Sequence, residues 1–181
     1  VFWPAADEAA PAWHQPHPDL LRAGRTREKV VAGLRRAIRA YRTVVAEHRL
    51  GDMAQKALLR IGAIHSQYLN DPDRAIEAFH ELLEKYPGSP EAVDAQFAVG
   101  RHYLEKNDLA KAEKAIKLFL TSFPNHAKAA DALLDLAACH RRQKDWGKAL
   151  DDYQSFVNRY PASPKIEQVR EKIAWIKKYR F

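Results

Sequence analysis

Apolar residues recur along this chain with a short period and a long one. Between Asp108 and Phe123 they return at steps of three and four residues, which predicts a helix with one buried stripe. Aromatic–proline pairs mark the long period, because Tyr86-Pro87, Phe123-Pro124 and Tyr160-Pro161 each stand 37 residues apart. A fixed period of this length is typical of a solenoid, in which each unit buries its apolar face against its neighbours.

Each repeat is predicted to be a helical hairpin with marked ends. The second helices begin after a capping aspartate and stop at a proline, which lacks an N–H; the aspartates are Asp71, Asp108 and Asp145. The next first helix is expected after Ser89-Pro90 or Ser163-Pro164, a cap serine followed by proline. We therefore expect a partial repeat at 27–48, repeats at about 52–87, 89–124 and 126–161, and a capping helix at 164–179.

Small residues inside the hairpins resemble those of the tetratricopeptide repeat. In that family a small residue on the first helix is followed by alanine and then proline at steps of twelve, as in Gly100, Ala112 and Pro124. Ala137, Ala149 and Pro161 repeat the spacing. The resemblance covers roughly residues 29–181 and implies an all-α fold, a right-handed α-solenoid of helical hairpins closed by the C-terminal capping helix.

The resemblance also implies a concave groove lined by the first helices, where a partner would bind. The residues that face it by the family register are Arg60, Gln67, Asp94, Phe97, Arg101, Glu105, Asp131, Asp135, Arg141 and Arg142. The lysine and asparagine clamp of the chaperone-binding members is missing from the matching positions. A groove of this mixed character predicts a polar or amphipathic peptide, or a folded partner that docks against the helices.

Residues 1–24 form a separate segment, predicted to be an extended arm. Four prolines interrupt it, so that neither a helical nor a strand period survives. Trp3 and Trp13 lie between the prolines, and exposed tryptophans are costly. Three readings stay open: the arm folds back on the solenoid of residues 25–181, it binds another subunit in extended form, or it is disordered.

Positive charge is concentrated in one part of the chain. Residues 22–49 hold nine basic and two acidic side chains, and this excess of seven equals the net charge of the whole chain, +7. The predicted basic patch consists of Arg25, Lys29, Arg35, Arg36, Arg39 and Arg42. Either it is a solvated outer face, or it binds an acidic partner or anionic lipid head groups. Nucleic acid is not favoured, because aromatic side chains do not alternate with the basic ones.

The sequence holds no recognisable catalytic motif. It lacks a glycine-rich phosphate loop, a paired-cysteine metal motif and a nucleophile elbow, and it predicts no cofactor, no metal site and no enzyme. His14 and His17 are three residues apart but have no third ligand nearby. No apolar stretch approaches the 18 residues that a membrane helix needs.

The Tyr-Pro-x-Ser-Pro junctions at 86–90 and 160–164 resemble those of cell-envelope repeat proteins, namely the Tol-Pal-associated periplasmic protein and the repeat lipoprotein of β-barrel assembly. The lipoprotein's leading cysteine is missing, and a chain that begins with Val1 is expected to be processed or truncated. The sequence thus predicts a non-catalytic scaffold that holds protein subunits of a larger complex together, in the periplasm or cell envelope. The alternatives are a cytoplasmic protein and a peripheral binder of anionic membrane or another polyanion.

Overall fold

The computed structural model describes residues 27–48 and 51–180, and within them it shows eight α-helices. Their bounds are α1 Arg27–Glu47, α2 Asp52–Gln67, α3 Pro72–Lys85, α4 Pro90–Glu105, α5 Leu109–Ser122, α6 Ala129–Arg142, α7 Trp146–Arg159 and α8 Ile166–Tyr179. The predicted all-α fold class is confirmed for the described residues. The arm of residues 1–24, including Trp3 and Trp13, lies outside the described residues, as does Arg25 of the basic patch.

The chain divides into two compact units, residues 1–75 and 76–181. In the first unit α1 packs against α2. The buried face of α1 presents Leu34, Tyr41 and Val45, which are at most 7% exposed. On α2 the buried side chains include Leu58 and Ile61. These apolar side chains therefore form the buried side of α1, against α2.

In the second unit each helix packs against the next from α4 to α8, and α4 also touches α6. One apolar cluster joins α4, α5 and α6 around Phe119, and a second joins α6, α7 and α8 around Tyr153 and Phe156. Phe119 and Phe156 are 1% and 0% exposed. The residues one repeat apart thus occupy the centres of successive clusters.

The turn between the two helices of a hairpin has the same geometry in each repeat. Asn70, Asn107 and Lys144 stand at the repeat spacing and all have positive φ, from 50° to 63°. The next residue is the capping aspartate, and Asp108 and Asp145 accept hydrogen bonds from the backbone N–H of Lys111 and Lys148. The aspartate caps predicted for the second helices are therefore confirmed.

The serine cap predicted before the last helix is wrong. Ser89 Oγ accepts from the Ala92 N–H at 3.1 Å and caps α4 as expected. Ser163 instead accepts from Lys165 N–H, while α8 begins at Ile166 with Lys165 as an N-cap that makes no side-chain bond. The backbone turn from Ser163 to Ile166 delays the helix, and the helix therefore begins two residues later than predicted.

Candidate protein-interaction surface

The predicted groove residues fall in both units, and the structure places each on a first helix. Arg60 and Gln67 are exposed on α2 in the first unit. In the second unit α4 and α6 carry the rest. Arg101, Glu105, Asp131, Arg141 and Arg142 are exposed, and Asp94, Phe97 and Asp135 are half-buried. We call the part of this surface on α4 and α6 the first-helix face.

Ion pairs connect successive first helices across this face. Lys128 Nζ, at the N-cap of α6, lies 2.7 Å from Asp94 Oδ1 on α4. Lys165 Nζ, at the N-cap of α8, lies 2.6 Å from Asp131 Oδ1 on α6. Both partners recur at the 37-residue spacing, so the same contact is made twice. Each pair is about half exposed, which keeps its contribution to folding small and its atoms accessible to a ligand.

Phe97 forms the apolar centre of the first-helix face. Its ring packs against Phe119 of α5 at a centroid distance of 5.4 Å. Two cations lie over the ring, Lys128 Nζ at 5.3 Å and the Arg101 guanidinium at 5.9 Å. Arg101 also contacts Asp135, whose Oδ2 lies 3.6 Å from its Nε. Burial raises the pKa of the Asp135 carboxyl above its ordinary value, and Arg101 opposes that rise.

Other predicted groove residues form contacts within the repeats themselves. Arg142 donates from Nη1 to the Leu104 carbonyl at 2.6 Å and so ties the ends of α6 and α4 together. Glu105 lies 2.9 Å from His102 on the same helix. Arg142 thus holds α4 and α6 together, whereas the pair of Glu105 stays within one helix.

Sequence reasoning missed the lysine partners of the first-helix face and a buried polar network behind it. The lysines left a signal, since Lys128 and Lys165 keep the same spacing as Asp94 and Asp131. The network left none. His140, only 2% exposed, lies between two carboxylates, with Asp152 at 2.6 Å and Glu113 at 3.4 Å. It joins α6 to α7 and to α5.

The one cysteine has the surroundings of a packing residue. Cys139 is fully buried, and its Sγ donates to the Leu109 carbonyl at 3.3 Å. Burial, together with the nearby Glu113 carboxylate, raises the pKa of the thiol. A thiol kept protonated in this way is a poor nucleophile at neutral pH.

The basic patch lies on the outer side of α1. Lys29, Arg35, Arg36, Arg39 and Arg42 are all exposed there, opposite the buried stripe of Leu34 and Tyr41. Among residues 27–48 and 51–180, no cluster of three potential metal ligands occurs. No helix in these ranges is long and apolar enough to cross a membrane. His14 and His17 are outside the described residues.

Antiparallel hairpins at a fixed period, with polar and aromatic side chains collected on the first helices, define a helical-repeat protein of the interaction class. Residues 62–127 and 131–163 each match the Tetratricopeptide repeat family, and the two segments together cover more than half of the chain. The chain belongs to this family. Tetratricopeptide repeats typically act as non-catalytic protein-interaction modules. No curated protein matches the chain.

Proposed function

We propose that the chain is a non-catalytic scaffold subunit of a larger complex in a bacterial cell envelope, and that it binds a partner protein through the first-helix face. The observation that supports this most is the half-buried Phe97 ring with two cations over it, each of which also pairs with a carboxylate across α4 and α6. An aromatic centre inside a charged rim is the arrangement that protein interfaces use. The envelope location rests on the Tyr-Pro-x-Ser-Pro junctions alone.

The partner segment should combine an apolar anchor with charges of both signs. The anchor would pack on Phe97, while an acidic group could pair with Arg101 and a basic group with Asp135. Because these side chains already pair with one another, the partner must replace existing ion pairs. Charge matching would therefore contribute more to specificity than to affinity.

Affinity capture with a charge-reversed variant tests this proposal. Arg101→Glu reverses a charge beside Phe97, and Lys114→Glu is the control, since Lys114 is an exposed cation on the second helix α5. We expect wild type and Lys114→Glu to retain the same stoichiometric partner from the native source, and Arg101→Glu to lose most of it. Equal retention by both variants, with circular dichroism showing both folded, would place the partner elsewhere. Fractionation of the native cells tests the envelope location.

A second function, binding to an anionic membrane surface, is favoured by the five exposed cations on α1. Such binding is electrostatic and weakens as salt screens the charges. Co-sedimentation with phosphatidylserine vesicles at low and high salt tests it. Charge reversal of Arg36 and Arg39 together should abolish low-salt binding if the patch carries it, and unchanged co-sedimentation would rule the patch out.

A further inference from the structure

The last helix, α8, has a small residue at the position where the first helix of each preceding hairpin has one. Ala174 stands 37 residues after Ala137, which stands 37 after Gly100. In the preceding hairpins this position is covered, since Gly100 is buried and Ala137 is 0% exposed. A Cβ added to Gly100 would lie 2.8 Å from Ile116 Cγ1 of the second helix α5. Ala174, in contrast, is exposed.

An open groove lies where this residue is uncovered. It runs between α7 and α8, encloses about 580 Å³, and includes Val157, Ile173 and Ala174 in its lining. Val157 and Ile173 are half-buried, because they also pack on the apolar cluster of α6, α7 and α8. The groove therefore has an apolar floor continuous with the core.

The charged side chains that line this groove are both cations, Arg170 and Lys177. Both are exposed and lie on α8. Arg170 has a partner of its own helix, Glu167 at 2.8 Å, and that carboxylate is 73% exposed. An exposed ion pair of this kind contributes little to the stability of the fold, so the carboxylate of a ligand can replace Glu167 as the partner of Arg170. A complementary ligand is consequently apolar on the face that meets the floor and acidic at its edges.

We propose that the groove between α7 and α8 binds an amphipathic α-helix of a partner protein, which serves as the missing second helix of a further hairpin. The helix should carry a small residue over Ala174 and large apolar residues four and seven positions later, as Ala112, Ile116 and Phe119 stand in α5. Acidic residues should face Arg170 and Lys177. The proposal rests on the scaffold function and adds a second binding site to the first-helix face.

Two aromatic side chains of α8 are also exposed, which shows that the described residues cover this helix only in part. Trp175 and Tyr179 of α8 are 44% and 56% exposed, with ring centroids 5.6 Å apart. Trp175 also packs on Trp146 at 5.9 Å, on the side of α8 away from the groove. The Arg180 guanidinium lies 4.6 Å from the centroid of Trp146 and covers that side. The groove around Ala174 has no such cover among the described residues.

A peptide of the chain's own second helix supplies the probe. Residues 145–160 contain three aspartates against one lysine and one arginine and keep the small–large–large spacing at Ala149, Tyr153 and Phe156. A helix-stapled, fluorescein-labelled peptide of this sequence is titrated with the full chain and followed by fluorescence anisotropy. We expect saturable binding to the wild type, weakened at least about tenfold by Ala174→Glu, because a larger side chain would occupy the place where the incoming helix packs closely and would compete with its acidic residues for Arg170 and Lys177.

Two neighbouring lysines provide a matched pair of variants. Lys177→Glu reverses a charge inside the groove, whereas Lys178→Glu reverses one beside Tyr179. Because the net charge changes equally, a groove site predicts about fivefold weaker binding for the first variant only. Absence of saturable binding to the wild type, or equal weakening by both variants, would overturn the proposal.

Analytical ultracentrifugation of the chain without peptide tests the other possible occupant of the groove, a second copy of this chain. A dimer that Ala174→Glu dissociates would assign the groove to self-association and overturn the partner helix. If the peptide does not bind while affinity capture still recovers a stoichiometric partner that Arg101→Glu loses, this inference fails and the scaffold function stands. If capture recovers no partner at all, the scaffold function is wrong, and the inference that rests on it is overturned as well.

Discussion

At the residue scale, the fit between two helices of a hairpin depends on side-chain size. Ala112 is 0% exposed and lies in the cluster that joins α4, α5 and α6. Ala112→Leu adds three carbon atoms there, and we expect it to lower the free energy of unfolding by roughly 1–3 kcal/mol through overpacking. Ala110→Leu, at an exposed position of the same helix, is the control and should leave the melting temperature unchanged. A normal melt for Ala112→Leu would show that the repeat register is wrong.

Glu113 links the buried polar network to the surface. Its carboxylate accepts hydrogen bonds from Lys117 at 2.6 Å and Gln143 at 3.0 Å. The bond from Lys117 is the main reason that its pKa falls to about 2 from the ordinary 4.5. Because the folded state holds the proton less tightly than the unfolded chain, Glu113 stabilises the fold above pH 4.5. That stabilisation is lost as the pH falls toward 2.

Replacement of this carboxylate should therefore change stability in a pH-dependent way. We expect Glu113→Gln to lower the free energy of unfolding at pH 7 by about 1–2 kcal/mol, since its bonds are to a charged acceptor. The difference from wild type should shrink below pH 4.5. Burial raises the pKa of Asp152, an effect of opposite sign, but Asp152 is present in both proteins. Urea titrations across pH measure this, and a difference that is constant with pH would contradict the assignment.

At the element scale, the turn inside each hairpin determines where the second helix begins. Two of the three positive-φ positions are asparagine, which tolerates this conformation, and the third is Lys144, with φ of 63°. We expect Lys144→Asn to raise the free energy of unfolding by up to about 1 kcal/mol, because it removes backbone strain. Thermal melts measure it, with Lys114→Asn as a control that should destabilise a helix interior. No gain at Lys144 would mean that this turn is not strained.

The sequence predicts these elements well where one residue determines the local structure. Asp108 and Asp145 cap the second helices as expected, because a carboxylate three residues before a free N–H needs no tertiary help. Ser163 does not cap α8, since the backbone turn that leads to Ile166 orients its hydroxyl toward Lys165. The polar network of His140 was not predictable, because Glu113, His140 and Asp152 come from three helices and share no repeat spacing.

At the scale of the whole molecule, the repeated hairpins create extended surfaces on which a partner can bind. The core is built from the same positions in successive hairpins, and the first-helix face and the groove beside α8 lie at its surface. The resemblance to the tetratricopeptide repeat implied that the first helices would line this surface, and the 37-residue spacing located those helices. Neither of them predicted the pair of Arg101 with Asp135, because these two residues do not recur at that spacing.

Crosslinking mass spectrometry on the complex captured from the native source tests the scaffold function most directly. Lys128 and Lys165 border the first-helix face and Lys114 lies on the second helix α5, so the three lysines report on different sides of the second unit. We expect one partner at fixed stoichiometry, with its crosslinks concentrated on Lys128 and Lys165. A chain that purifies alone, or a partner crosslinked through Lys114 instead, would contradict it.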